Sequence, residues 1–542
     1  MNALQDVDWP ALGPPLIAAL AAVAVLLADL FLPPARKGLL GGLAVAGLVL
    51  AGLSLLPLRG ADRATFCLAA DPGLCSYRAD EFALTVQLIV LGGALLAALL
   101  SLPETGPASR HPAAPHPASG KAAAGNGAAG KETPGTGAPK RDASGTGASG
   151  GAGEGSLPGG EFWFLLLCSA CGATLLPAAR DLATLVVALE ITTLPAYALV
   201  GLRRRGPGPE AALKFFLTSV TATAVGLLGI SFVYAGAGSL HLSEIAERLP
   251  DADPRLATLA EAGVVLTLAG FAFKTAAVPF HFWVPETYVG APLPVAGYLS
   301  VVGKTAGLAG LVLVTTGAFP GYGGLWGPVL AVLAACTMTA GNAAALRTPA
   351  AAPDGVVRLL AWSSIGQAGY LLVPVAAAAY TAPGDALGAL LGYALMYAVT
   401  NLGAFAVAAH LARRHGARRL ADYAGLYARQ PGTALALAFF LLCLAGLPPG
   451  LAGLFAKVAV LRSAVDAGLG PLAVVTALNV ALALAYYLRW TALLFRPAPA
   501  GSPAPPRPVP PLAAATALCA LAGAAFSVAP QLILGLAPGV LR

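Results

Sequence analysis

The chain is 542 residues long, 57% hydrophobic and 11% charged, with a formal net charge of +7 and a mean hydropathy of +0.77. Soluble domains carry roughly 25% charged residues, so this composition excludes a soluble globular protein and fits a polytopic helical one in a membrane. The positive balance is that of basic cytoplasmic loops rather than of a nucleic-acid binder, and the start MNALQDVDWP, with no basic residue, does not read as a secretory signal.

Fourteen apolar spans are predicted, with cores at 14–33, 38–58, 82–102, 161–179, 181–201, 212–235, 259–280, 292–316, 325–346, 356–378, 386–411, 433–455, 470–494 and 512–536. The first three form an N-terminal unit, 1–103. Residues 104–160 break the pattern: they are rich in Ala, Gly, Pro, Ser and Thr, with one Leu and no aromatic, Ile or Val. Such a segment cannot bury enough apolar surface to offset its ordering entropy, and it reads as a disordered cytoplasmic insertion. Two five-span units follow, 161–320 and 321–496, then a loop and a last helix at 497–542.

Loop charge tests the count. With the N-terminus outside and the loops alternating, the inside loops hold twenty basic residues and the outside loops with the C-terminus hold eight. That asymmetry supports an even number of spans with both termini outside. Of the seven cysteines, Cys168 and Cys171 form a CxxC inside an apolar helix with no partner pair. They read as small core residues, not a metal site. Cys67 and Cys75 share one loop, where an oxidising side would permit a disulfide.

Spans 7 and 12 are interrupted. Lys274 is followed by Pro279, and Pro448 and Pro449 precede Lys457. Proline removes a backbone donor, and broken backbone at membrane depth is tolerated where it lines a polar cavity. The breaks are five helices apart, an odd number, so the surrounding units have opposite orientations. The fold class is therefore all-α, with two inverted five-helix repeats, spans 4–8 and 9–13.

Only eight residues of the chain are lysines, and Lys214, Lys274, Lys304 and Lys457 fall in or at the edge of apolar spans. A charged side chain at the bilayer centre costs roughly 2.5–3.5 kcal/mol on insertion scales. Glu190, in DLATLVVALEITTLPAYALV, has no basic neighbour within reach on its own helix. Lys274 is its expected partner: held close, the pair keeps the lysine charged; parted, the lysine releases a proton. The plainer alternative is a static ion pair. The GKT around Lys304 does not make a phosphate loop, because position 298 is Tyr298 and no strand precedes it. Lys304 reads instead as a central relay, with Lys457 as the corresponding group of the second repeat. Lys214 lies one turn into its helix, where it either relays protons or snorkels to the interface. His281 either bridges proton steps or is a hydrogen-bonded structural histidine. His241, His410 and His415 carry no such signal, and Arg413–Arg419 reads as a positive-inside anchor.

The runs LEITTLPAYALVGLRR, EAALKFF, FKTAAVPFHFWVPETYVGAPLPVAGYLSVVGKTAG, RLLAWSSIGQAGYLL and LAGLPPGLAGLFAKVAVLRSAV, with GSLHLSEIA and AYYLRW, resemble the N subunit family of bacterial proton-pumping NADH–quinone oxidoreductase, respiratory complex I. The match spans roughly 161–496, in order. Sister subunits and multisubunit sodium/proton antiporters share the broken-helix plan, and PFHFWVPETY and EAALKFF favour N over them.

The resemblance implies an antiporter-like membrane-arm subunit of the bacterial cell membrane, with proton translocation driven by quinone reduction elsewhere in the complex. It places the key acid on Glu190 and the key lysines on Lys214, Lys274, Lys304 and Lys457. NADH, FMN, iron–sulfur clusters and quinone belong to the complex; this chain is expected to bind none of them and no metal. The partners implied are the other membrane-arm and peripheral-arm subunits. Gln367 stands where the family often has His, Gly303 where it often has Pro, and the 104–160 insertion is atypical. The alternatives are a subunit of a stand-alone cation/proton antiporter, with H⁺ or Na⁺ as the ion, and a silent scaffold.

Overall fold

The computed structural model describes residues 7–69, 71–105, 157–203, 206–415, 417–498 and 509–535. With no water in hydrocarbon, each apolar run must satisfy its backbone internally, and nearly all of them do so as helices. Spans 1–3 are α1 (Gly13–Phe31), α2 (Gly38–Leu53) and α3 (Glu81–Thr105). Spans 4–6 are α4 (Gly159–Leu175), α5 (Leu182–Gly201) and α6 (Gly208–Ala237), followed by the short surface helix α7 (Leu242–Arg248). Span 7 is α8 (Ala257–Lys274) and, beyond a break, α9 (Trp283–Gly290). Span 8 runs through α10 (Leu293–Tyr298), a π-turn and α11 (Lys304–Val312). Spans 9–11 are α12 (Gly323–Leu346), α13 (Gly355–Ala377) and α14 (Pro383–His415). After α15 (Leu426–Arg429), span 12 is split into α16 (Pro431–Ala445) and α17 (Leu451–Asp466). Span 13 is α18 (Gly470–Phe495), and span 14 is α19 (Pro510–Val528), followed by α20 (Gln531–Leu534). Thirteen helical segments are long and apolar enough to cross a membrane, and split span 12 completes fourteen.

The structure adds detail to two sequence expectations. The loop after α2 that holds Cys67 and Cys75 contains a hairpin: β1 (Arg63–Cys67) and β2 (Cys75–Ala79) pair antiparallel, with Arg63 opposite Ala79. A disulfide joins Cys67 to Cys75 across this hairpin. The ends of the 104–160 insertion are also helical or bonded: α3 runs to Thr105, and the Leu157 amide donates to the Glu104 carbonyl at 2.9 Å. The intervening 106–156, read as disordered from composition, lies outside the described residues.

Spans 8, 10 and 11 are almost wholly enclosed by the rest of the chain, whereas spans 6 and 14 leave most of their surface outside the chain's own packing. Helices close on one another through small residues, as membrane packing without a hydrophobic drive between helices requires. At the α12–α13 crossing a Cβ on Gly341 would fall 2.3 Å from the Gly366 nitrogen, so only glycine fits.

Loop contacts assign the two faces without reference to charge. On one face Tyr77 of the hairpin bridges to Ala179, and Asp181 to His241. Tyr322 Oη then donates to Leu249 O at 3.2 Å, and Ala379 packs on Gly323. These contacts place loops 2–3, 4–5, 6–7, 8–9 and 10–11 together. On the other face Arg203 pairs with Glu104, Arg413 with the Pro103 carbonyl, Arg358 with Glu286, and Arg418 with Asp354. Arg489 donates to the Leu346 and Thr348 carbonyls. Strict alternation of fourteen spans produces this partition.

Candidate functional site

The first cluster is built by α5, α6 and α8. Glu190, Thr193 and Tyr197 share one face of α5, and Ser219 and Thr223 sit one turn apart on α6, the spacings that put side chains in register on a helix. Lys274 is the last residue of α8 and is 4% exposed. Its ammonium donates to Ser219 Oγ at 2.7 Å and lies 3.6 Å from Glu190 Oε1. Tyr197 Oη donates to the same Ser219 oxygen at 2.6 Å. Glu190 accepts from Thr223 Oγ1 at 2.8 Å and from Thr193 Oγ1 at 3.3 Å. The lysine thus has two acceptors, a near neutral hydroxyl and a farther carboxylate.

The break follows at once. Ala276 adopts φ 62°, a left-handed conformation rarely taken by a residue with a Cβ. Gly307 on α11 lets this corner approach: a Cβ there would come within 2.8 Å of Lys274 Cβ. A mostly apolar cavity of about 20 Å³, walled by Phe215, Phe273 and Trp283 and edged by Lys274, Thr193 and Tyr298, lies between Lys274 and the start of α11. That volume suits a single water.

Lys304 opens α11 directly after the π-turn Leu299–Gly303. Such turns widen a helix and often mark functional positions. Its ammonium donates to Ser364 O at 2.7 Å and Ser364 Oγ at 2.5 Å, and Tyr397 Oη donates to that Oγ at 2.8 Å. Neighbouring Ser363 shares a 2.5 Å hydrogen bond with Tyr487. The Tyr487 hydroxyl accepts from Gln367 Nε2 at 3.0 Å, and Gln367 Oε1 accepts from Tyr393. One further turn along α13, Tyr370 accepts from Asn342 at 3.1 Å, and its ring lies 5.4 Å from the Lys457 ammonium. The serines, Gln367 and Tyr370 of α13 therefore line the route from one lysine to the other.

Lys457 reaches back across the second break to donate to Leu444 O at 2.8 Å and Ala445 O at 2.9 Å. These are the last carbonyls of α16, where the helix dipole is negative and a cation is favoured. The two broken spans each place a lysine beside the break: Lys274 as the last residue of the first half-helix, with its ammonium on Ser219 and Glu190, and Lys457 with its ammonium on the end carbonyls of α16. Among the described residues neither Lys304 nor Lys457 is in an ion pair.

The structure brings Glu190 to Lys274 and sets Lys304 and Lys457 along α13, two clusters separated by the small cavity beside Gly303. It brings Lys214 to neither. That side chain is 54% exposed on α6 and pairs at 2.6 Å with Glu210, one turn away on the same helix. His281 sits in the break of span 7, its ring 5.7 Å from that of Trp362. Its ring is half-buried against the Pro279 backbone, and the Tyr288 hydroxyl is enclosed beside Ser364. Cys168 and Cys171 are half-buried free thiols. The sequence reading missed Ser219, Thr223, Ser364, Tyr393, Tyr397 and Tyr487. Their signal was present as hydroxyls one turn apart inside apolar helices and as the SS and YY pairs of spans 10 and 13.

Residues 179–483 match the membrane family described as NADH:quinone oxidoreductase/Mrp antiporter. NADH-quinone oxidoreductase subunit N 2 of Streptomyces griseus is 58% identical over 98% of this chain and 94% of its own length. Subunit N of Salinispora tropica is 43% identical over 91% and 86%, respectively. Among solved structures, a chain of respiratory complex I from Thermus thermophilus with bound aureothin superposes with a TM-score of 0.73 at 30% identity, over 97% of this chain and 100% of that one. A chain of the Mrp complex from Dietzia shares the fold, with a TM-score of 0.75 at 19% identity over 97% of this chain and 96% of that one. This chain therefore belongs to the NADH:quinone oxidoreductase/Mrp antiporter membrane family, and within it to the subunit N group of NADH-quinone oxidoreductases.

Proposed function

We propose that the chain is a proton-translocating membrane-arm subunit of an NADH-quinone oxidoreductase. The observation that carries this reading is the pair of buried clusters, Glu190 with Lys274 and Lys304 with Lys457, because ionisable groups enclosed in a membrane protein are expensive unless they move or hold charge. Ser219 offers the Lys274 ammonium a neutral alternative to Glu190. A small displacement between the two changes the electrostatic hold on the lysine's proton. Lys304 and the hydroxyls of Ser364, Tyr397 and Tyr487 carry the charge on, with water completing the gaps, and Lys457 receives it.

In this reading the work comes from quinone reduction in other subunits, and the chain itself holds no flavin, nicotinamide, iron–sulfur cluster or quinone. The face carrying Arg203, Arg358, Arg413 and Arg418 is cytoplasmic and the hairpin face is outside, in a bacterial cell membrane. Residues 161–320 and 321–496 act as the two inverted units, with 1–103 and 497–542 flanking them. Lys214 and His281 serve at the periphery, Lys214 at the cytoplasmic rim beside Glu210 and His281 through water at the span 7 break.

The test is Glu190→Gln and Lys274→Ala in the assembled complex, reading proton uptake per NADH oxidised. The expected outcome is a fall in protons moved per turnover with the complex intact. Unchanged stoichiometry in both variants would overturn the reading.

A further inference from the structure

Both breaks leave main-chain amides that their own span does not satisfy. At the end of α8 the Ala276 and Ala277 amides return to the Phe273 and Ala272 carbonyls. The next amide, Val278, lies in the break between α8 and α9 and donates instead to Thr337 Oγ1 of α12 at 2.8 Å. In span 12 the second half-helix begins at Leu451, and its cap residue, Gly450, has no side chain to offer. Only glycine fits that cap, because a Cβ there would fall 2.5 Å from the Cys443 backbone. The Ala452 amide is one of the first-turn donors that a helix cannot satisfy by itself. It donates to Ser527 Oγ of α19 at 3.2 Å.

The two hydroxyls are alike in a second respect. Thr337 gives its own proton to Leu333 O at 2.5 Å and Ser527 gives its own to Gly523 O at 2.8 Å, each four residues back on its own helix. That bond fixes the hydroxyl and leaves its oxygen to accept from the break. Both side chains are buried, where an unpaired amide is costly. Each acceptor comes from two spans further along the chain: span 9 serves the break of span 7, and span 14 serves that of span 12. Among the described residues neither hydroxyl bonds a lysine.

We propose that Thr337 and Ser527 are positioning residues for proton translocation, each clipping a broken span from a neighbouring helix and, through the break, holding that span's lysine in place. Val278 is four residues beyond Lys274. Ala452 begins the half-helix that carries Lys457, and Cys443, against which Gly450 packs, directly precedes the Leu444 and Ala445 carbonyls that hold the Lys457 ammonium. Span 14 is then a working part of the second broken span rather than an appendage to the bundle. The proposal rests on the proton-translocating reading above.

The test uses Thr337→Val and Ser527→Ala in the intact complex, each removing a hydroxyl with little change of shape. It reads protons moved per NADH oxidised and amide hydrogen exchange. Loss of one hydrogen bond is expected to speed exchange about three- to tenfold, in peptides spanning 275–282 for Thr337→Val and 446–453 for Ser527→Ala. Both complexes are expected to assemble, oxidise NADH and move fewer protons per turnover. Thr337→Ser, which keeps the hydroxyl, is expected to hold the parental ratio and exchange. Thr516→Val is the control on α19, because that hydroxyl bonds Leu512 of its own helix; it is expected to change neither reading. The proposal is overturned by a parental proton ratio in either variant, by a lowered ratio with parental exchange at the breaks, or by a ratio that Thr337→Ser does not preserve. Failure to assemble would also overturn it, making the hydroxyls structural only. A parent complex that moved no protons would instead overturn the functional reading, and the exchange measurement would still test the clips.

Discussion

Lys274 holds two acceptors at unequal distance, Ser219 at 2.7 Å and Glu190 at 3.6 Å. Ser219→Ala removes the nearer one and leaves the carboxylate. A hydrogen bond to a charged group is worth about 1.5–3 kcal/mol, so the variant is expected to draw the ammonium onto Glu190, assemble normally and pump fewer protons per NADH. Ser219→Thr, which keeps the hydroxyl, is expected to restore pumping, a rescue that a purely structural role would not require. Gly307→Ala tests the same corner from the other side. The added methyl meets Lys274 Cβ at 2.8 Å and must push the lysine or α11 aside. It is expected to lower both thermal stability and proton yield, whereas Gly42→Ala, with open space around the new methyl, changes neither. The ionisable members of the site were legible because charge in hydrocarbon is costly enough for one residue to be a signal. Their hydroxyl partners were not: serine and threonine in a membrane helix commonly bond their own helix carbonyl, as Thr192 does to Ala188. Only the fold shows that Ser219 and Ser364 turn toward lysines. Lys214 carried the same compositional signal as Lys274 and ended at the surface, because helix phase decides that outcome.

At the scale of elements, the broken spans were readable from proline, and the place of the lysine relative to each break was not. Lys274 precedes its break and Lys457 follows its own. A linear comparison therefore misses that both lysines flank a break, with only the Lys457 ammonium on the carbonyls of a half-helix end. Restoring a continuous span 12 with Pro448→Ala and Pro449→Ala together is expected to give the Leu444 and Ala445 carbonyls intrahelical partners and displace Lys457. Proton yield would fall while the subunit remained in the complex. The hairpin escaped the sequence reading because five-residue strands in a charged loop carry too little apolar alternation to stand out. Arg78 bonds Asp62 on its edge and holds that carboxyl below the usual aspartate range. A depressed carboxyl contributes stability above its unfolded value and loses it as pH falls through the folded one. The pair is about half exposed and the Cys67–Cys75 disulfide closes the hairpin, so acidification below the ordinary aspartate range is expected to loosen it only slightly. Asp62→Asn should remove that pH dependence, as limited proteolysis from the hairpin side would show.

Across the whole molecule, two sets of loop contacts divide the chain into faces, and the arginine-rich set coincides with the side that loop charge marks as cytoplasmic. Span count and alternation were legible because bilayer thickness fixes span length. The enclosure of spans 8, 10 and 11 was not, since every span is apolar on all sides and periodicity carries no inward direction. That enclosure joins the two halves, because α13 faces Lys304 with Ser364 and Lys457 with Tyr370. The most direct measurement is therefore at the junction: the number of protons moved per NADH oxidised by the assembled complex carrying Lys304→Met, which keeps the side chain's length and removes its charge. The account predicts a complex that assembles and moves fewer protons per turnover. A Lys304→Met complex pumping at the parental ratio would contradict it.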